Sequence, residues 1–318
     1  MEGRDVVVID QRLLPHRFQL LRLRNHRETA EAIRNMTIRG AGTIGATAGY
    51  GMAQAFLEGV SLARAYETLV TTRPTAVDLK HALDRVLLQA HDAPSAVAVA
   101  ERIADEYVDR MKRIGRIGLS LLPRNARVLT HCNAGWLAIV DWGSATAPIY
   151  MAHRKGRRVF VWVDETRPRC QGAKLTSWEL LNEGVPHKVI ADNAAGHFMR
   201  RGEVDLCLVG ADRIAINGDT ANKLGTYEKA VLARENGIPF YVVAPTSTID
   251  PLCPNGDAIP IEERDEEEVH FVDGVRITPR GARAANPAFD VTPARYITGI
   301  LTERGLFKPA ELKRLWRR

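Results

Sequence analysis

From residue 126 onward the chain alternates short apolar runs with helix-like stretches, and this rhythm restricts the fold more than any other feature. Arg127–Thr130, Arg158–Val163, Lys188–Ala191, Leu206–Val209 and Pro239–Ala244 read as strands. Helical patterns are predicted at Trp136–His153, Gly172–Glu183 and 226–236. Parallel strands need crossovers of this length, so the repeat predicts a doubly wound parallel sheet. The run Leu206-Cys207-Leu208-Val209 has the continuous apolar character of a strand buried on both faces. Gly210, Ala211 and Asp212 follow at its tip, then a polar loop that ends in Asn222-Lys223 before the next helix.

Residues 1–120 have a different texture. Asp5–Asp10 reads as a strand and Gln11–Pro15 as a turn; His26–Met36 and a series from Ala53 to Ala104, broken at Thr71–Thr75, read as helices, followed by an amphipathic helix over 97–120. The expected architecture is therefore α/β, with a mainly helical domain at 1–120 and a doubly wound parallel-sheet domain at 121–318. In Ile38–Met52, five glycines and three alanines permit close helix packing, and the free backbone N–H groups at a helix start beside Arg39, Gly40 and Ala41 could hold a phosphate. Arg73, fixed in an extended dipeptide before Pro74, could present a guanidinium; a surface turn explains it equally well.

Ligands of open α/β sheets bind beyond the carboxyl ends of the strands. Four predicted strand tips carry chemistry there: Cys132, Asp164–Arg167, Asp192–Asn193 and Asp212. Cys132, ahead of a predicted helix start, is a candidate base or nucleophile, because helix N-termini favour thiolates. A thiolate and an acid suit proton transfer at adjacent carbons. A structural cysteine and a capping aspartate remain the alternatives. His131 neighbours Cys132, but adjacent strand residues face opposite sides, which favours a core role for it.

Several classes are excluded. No G-x-G-x-x-G follows the first strand of the sheet, and no P-loop, nucleophile elbow or H-E-x-x-H pattern occurs. Cysteines 132, 170, 207 and 253 contain no C-x-x-C pair, so neither a zinc site nor a disulfide framework is expected, and a reducing, cytoplasmic setting follows. The start MEGRDVVVID lacks a leader pattern, and no apolar run approaches membrane-spanning length. The net charge of +6 mildly favours anionic ligands, but without a basic-aromatic stripe it does not indicate nucleic acid. The basic end Lys313–Arg318 and the acidic stretch Glu262–Glu268 read as solvated faces.

Longer motifs carry a resemblance. VIDQRLLPH (8–16), IRGAGTIG (38–45), TRPTAVDL (72–79), THCNAG (130–135), VDETRPRCQGAKLTSWEL (163–180), VGADRIAINGDTANKLGTY (209–227) and NPAFDVTPARYI (286–297) resemble the methylthioribose-1-phosphate isomerase family. Its superfamily includes ribose-1,5-bisphosphate isomerase and the α/β/δ subunits of translation initiation factor 2B. The resemblance covers nearly the whole chain and implies a helical N-terminal domain, a Rossmann-like C-terminal domain and a homodimer with no metal or organic cofactor. It implies Cys132 and Asp212 as the catalytic pair, and Arg39, Gly40, Ala41, Arg73, Gln171, Asn222 and Lys223 as substrate-binding residues. The chain departs from the family pattern at Gly42-Thr43, where Pro-Ala is usual, and at Trp136, Asp141 and Trp142.

Overall fold

The computed structural model describes residues 1–73 and 77–316; Pro74 and Thr75 of the predicted break, and Arg317-Arg318 of the basic end, lie outside them. The chain forms two compact units. The first comprises Met1–Lys112 and Gly135–Gly143, the second Arg113–Ala134 and Ser144–Arg318.

In the first unit, β1 (Val6–Ile9) and β2 (Leu20–Leu23) pair antiparallel. Helices α1 (His26–Arg34), α2 (Ala41–Glu58), α3 (Leu62–Val70) and α4 (Val77–Gln89) follow, and α5 (Ala93–Gly118) carries the chain into the second unit. Asn25 caps α1, its side chain accepting the N–H groups of Arg27 and Glu28. Helix α2 is the most buried of the set because its small residues admit close neighbours.

The second unit is built on a seven-stranded sheet. Its strands are β3 (Asn125–Thr130), β4 (Arg158–Asp164), β5 (His187–Ile190), β6 (Leu206–Val209), β9 (Phe240–Val243), β14 (Gly299–Thr302) and β15 (Gly305–Phe307). Across the sheet they run β5-β4-β3-β6-β9-β14-β15, all parallel except the last pair. The chain order reverses between β3 and β6, and this switch point leaves the crevice where open α/β sheets bind ligands. Helices α6 (Thr146–Arg154), α7 (Ser177–Asn182), α8 (Ala195–Arg200) and α9 (Thr226–Glu235) make crossovers. Leu129, Cys207, Val209, Phe240, Val242 and Ile300 are buried in one apolar core, which Leu312 joins from the terminal 3-10 helix Pro309–Trp316. That basic end is therefore anchored by an apolar residue.

A second, four-stranded sheet has the order β10 (Ile249–Asp250), β7 (Arg213–Ala215), β8 (Thr220–Lys223), β13 (Phe289–Thr292). A further two-stranded ribbon joins β11 (Phe271–Val272) and β12 (Val275–Arg276). The stretch expected as a polar loop after Asp212 is thus a β hairpin. In the acidic stretch Glu263, Asp265 and Glu267 are exposed, as a solvated face requires, while Glu268 pairs with Arg169 at 2.7 Å and Glu266 with Arg283 at 3.1 Å.

The largest revision concerns the expected helix Trp136–His153. Its first half is a series of turns with Val140, Trp142 and Gly143 in the left-handed region, and α6 begins only at Thr146. These residues contact the α2 start within the first unit. Gly40, the α2 N-cap, has φ +86, and a Cβ there would fall 2.4 Å from Ala138 Cα. Thr43 Oγ1 donates to Leu137 O at 3.0 Å and accepts the N–H of Val140 at 3.1 Å. A Cβ on Gly42 would meet Ile139 Cγ2 at 2.6 Å. The departing pair Gly42-Thr43 thus packs on Leu137–Val140, the segment between the other departing positions, Trp136 and Asp141-Trp142.

Candidate active site

Cys132 and Asp212 follow β3 and β6, the two strands that flank the switch point. The Cys132 thiol is half-buried, whereas Cys170, Cys207 and Cys253 are buried. Burial pushes the Cys207 thiol well above its ordinary range, as its mid-strand position leads one to expect. The helix start expected to lower the Cys132 thiol pKa is absent, because the chain turns away through 135–143 before α6 begins. Cys132 combines partial exposure with a left-handed backbone, φ +65, which for a non-glycine residue costs about 1–3 kcal/mol; Cys170 shares the left-handed backbone, at φ +54, but is buried. Its N–H donates to Thr166 Oγ1 at 2.8 Å, and its carbonyl accepts from Thr176 Oγ1 at 2.7 Å.

Asp212 is exposed, not sunk in an apolar pocket, because it stands in the bend between β6 and β7. Its N–H donates to Ala221 O at 2.9 Å, which ties it to β8 one residue before Asn222 and Lys223. Those two residues close β8 and are buried. Asn222 Nδ2 donates to Thr226 Oγ1 at 3.0 Å, and Lys223 Nζ donates to Ala288 O at 2.7 Å while lying 4.7 Å from the centre of the Phe289 ring. Phe289 and Asp290 sit opposite Lys223 and Asn222 in the β8–β13 register. The Asp290 carboxylate accepts the N–H groups of Gly225 at 2.7 Å and Tyr227 at 3.1 Å; burial nevertheless raises its pKa.

A buried ionic layer underlies these tips. His131, fully buried, places Nδ1 3.0 Å from Asp164 Oδ2 and donates from Nε2 to Leu224 O at 2.9 Å. It therefore links the residue before Cys132 to the residue after Lys223. Lys229 Nζ, also fully buried, lies 3.6 Å from the same Asp164 oxygen. Burial raises the Asp164 pKa, and the hydrogen bond to His131 opposes that rise.

Among the described residues, one group, His131, Asp164 and Asp192, brings possible metal-ligand atoms within 4.8 Å of one another. Apart from Asp164 Oδ1, its carboxylate oxygens already have partners. The Asp192 oxygens accept the N–H groups of Thr166 and Arg167, both at 2.7 Å, and Lys229 already supplies a cation beside Asp164. Of the four strand tips, then, Asp164 and Asp192 act as internal braces. Arg167 spends its guanidinium on the carbonyls of Pro168 and Val269.

Gln171 is buried immediately before a π-helical turn, Gly172–Thr176, whose last residue holds the Cys132 carbonyl. A Cβ on Gly172 would lie 1.7 Å from Asp164 O, so only glycine lets this turn pack on the β4 tip. Within the second unit, hydrogen bonds tie Cys132 to Thr166 and Thr176, its neighbour His131 to Leu224 after Lys223, and Asp212 to β8 beside Asn222, while Gln171 stands next to the turn that holds the Cys132 carbonyl. Arg39, Gly40, Ala41 and Arg73 belong to the first unit. Within it, Arg73 Nη1 lies 3.0 Å from Met36 Sδ, which directs the guanidinium to the turn leading into α2. Sequence reasoning missed Thr166, Thr176 and Asp290. Position after a strand hinted at Thr166 alone.

Residues 36–309 match the model of the initiation factor 2 subunit family. Methylthioribose-1-phosphate isomerase of Brucella anthropi is 50% identical over 337 residues, covering 97% of this chain and 93% of that relative. The crystal structure of 5-methylthioribose 1-phosphate isomerase from Pyrococcus horikoshii OT3 is 46% identical, with a TM-score of 0.93 over 99% of this chain and 94% of that one. The translation initiation factor eIF-2B subunit delta from A. fulgidus is 38% identical, with a TM-score of 0.86 over 96% of this chain and 94% of that one. The architecture is the α/β fold of these proteins, with a helical N-terminal part and a parallel-dominated sheet. On the strength of both the family model and relatives about half identical across almost its whole length, the chain belongs to the initiation factor 2 subunit family, in its methylthioribose-1-phosphate isomerase branch.

Proposed function

We propose that the protein is an aldose–ketose isomerase that converts 5-methylthioribose 1-phosphate to 5-methylthioribulose 1-phosphate, a step of methionine salvage. The observation that supports this reading is that Cys132 and Asp212 follow the two strands flanking the switch point, in a chain half identical to relatives bearing that isomerase's name. In an aldose 1-phosphate the anomeric oxygen is esterified, so the ring cannot open spontaneously. Asp212 protonates the ring oxygen as its bond to carbon 1 breaks. Hydrogen then moves from carbon 2 to carbon 1, and the carbon 2 hydroxyl loses its proton to become the ketone. Cys132 serves this transfer, either as the base that forms an enediol-like intermediate or by assisting a hydride shift. An exposed carboxyl gains the proton affinity of a general acid when bound sugar excludes water from it.

Arg39, Gly40, Ala41, Arg73, Gln171, Asn222 and Lys223 bind the sugar phosphate, with the guanidinium groups suited to bidentate phosphate contact. The enzyme works as a homodimer in the cytoplasm, without a metal or organic cofactor. No helix among the described residues is long and apolar enough to cross a membrane.

The likeness to an initiation-factor subunit favours a second reading, a binding module without turnover. Incubation of purified protein with methylthioribose 1-phosphate, 5-deoxyribose 1-phosphate and ribose 1,5-bisphosphate, with ketose formation followed, separates these possibilities. Ketose from the first substrate is expected. No turnover of it would overturn the proposal. Cys132→Ser and Asp212→Asn should each lower kcat by about 10²-fold or more with the melting temperature unchanged; near-wild-type turnover in either would remove that residue from the mechanism.

A further inference from the structure

The Cys132 turn is held by residues from three other segments. Thr166 and Thr176 are both buried, and each hydroxyl has a settled direction. Thr166 Oγ1 donates to Asp164 O at 3.0 Å, leaving a lone pair for the Cys132 N–H. Thr176 Oγ1 donates to the Cys132 carbonyl and accepts from Asn133 Nδ2 at 3.2 Å. Asn133 Nδ2 also donates to Glu179 Oε1 at 2.8 Å, and Glu179 Oε2 accepts from Tyr150 at 3.0 Å. Thr166 itself has φ +67, a rare conformation for a β-branched residue. It is imposed by Asp192, whose two oxygens take the N–H groups of Thr166 and Arg167.

Two left-handed non-glycine residues joined by a 2.8 Å hydrogen bond form a strained pair, and such strain persists only where the surroundings fix it. No helix N-terminus follows Cys132 directly, and the clamp fixes the backbone that carries its thiol. We propose that Thr166 and Thr176, with Asp192 behind them, are positioning residues that clamp the peptide on both sides of Cys132 and aim its thiol at the carbon 1–carbon 2 bond of the sugar. The inference rests on Cys132 acting in the isomerase reaction.

The test uses the full chain and the variants Thr166→Val, Thr176→Val, Thr166→Ser, Asp192→Asn and Cys132→Ser. Valine keeps the shape of threonine and removes the hydroxyl. The expected result is a fall in kcat of about 10-fold or more in both valine variants, with KM within about threefold of wild type. Thr166→Ser should restore kcat to within about threefold. The rate at which iodoacetamide alkylates Cys132, followed by peptide mass, should change in the valine variants and in Asp192→Asn. A purely structural role would lower the melting temperature of the valine variants without moving kcat or the alkylation rate of the folded protein, and that result overturns the proposal. If Thr166→Val does not fold, Thr176→Val and Asp192→Asn decide by the same two readouts. Wild-type turnover in Cys132→Ser would refute the catalytic reading instead, while the alkylation rates would still report on the clamp.

Discussion

Lys229→Met removes a cation from the buried layer beneath the strand tips. The ammonium and the Asp164 carboxylate, both fully buried, stand 3.6 Å apart, an attraction of about 5 kcal/mol at an effective dielectric of about 20. Methionine fills the space but leaves Asp164 with His131 as its remaining partner, since Asp164 Oδ1 has no hydrogen-bond partner among the described residues. Removing one member of a buried pair costs about 3–5 kcal/mol. The long separation and the added contact of Lys229 with the exposed Glu228 place this case near the lower figure. At about 2 °C per kcal/mol for a large chain, the melting temperature should drop by about 6 °C. Differential scanning calorimetry at pH 7 measures it. In the double variant Asp164→Asn/Lys229→Met no buried charge is stranded, so part of the loss, about 2 kcal/mol, should return. A Lys229→Met protein that melts within about 1 °C of wild type would refute the argument, as would a double variant no more stable than the single one.

Two further outcomes follow from other contacts. Glu106 accepts two hydrogen bonds from Arg85, at 2.7 and 2.9 Å, and one from Arg110 at 3.2 Å, and the Arg85 pairing lowers its pKa. A depressed folded-state pKa gives stability that is full above the unfolded carboxylate value of about 4.3 and disappears as pH falls through the folded value. Glu106→Gln should thus cost about 0.5–1 kcal/mol at pH 7 by urea denaturation, and the difference should shrink as pH falls below about 4.3. Gly172→Ala would place a methyl group against the Asp164 carbonyl, a backbone atom that cannot give way cheaply. A loss of about 3 kcal/mol in the same assay is expected, and an unchanged midpoint would contradict the packing described.

The sequence was most readable where one pattern dominated. Leu206–Val209 is a strand to the residue because four apolar side chains are buried on both faces. The hairpin β7–β8 was invisible because its strands are only three and four residues long around a polar, turn-forming loop, too short for the buried Ile214, Ala215 and Ala221 to show an alternation. Trp136–Ile139 looked helical from its apolar content, yet left-handed turns at Val140 and Trp142 prevent a helix, and nothing in those side chain types announces such a turn. Cys132 and Asp212 could be singled out by their place after predicted strands. The threonines that grip Cys132 could not, since a hydroxyl bonding across 34 or 44 residues leaves no local periodicity.

The reversal of strand order between β3 and β6 also bears on how the protein acquires its activity. Cys132 and Asp212 are separated by β4, β5 and their crossover helices, although β3 and β6 are hydrogen-bonded neighbours. No local segment can assemble the pair. Long-range parallel pairing closes a large loop before it gains contacts, which makes it one of the slower steps available to a chain. A chain that stops before β6 docks beside β3 holds the cysteine without the acid. On the roles proposed for Cys132 and Asp212, turnover is therefore a property of the completed sheet, and a partly folded chain is a silent one.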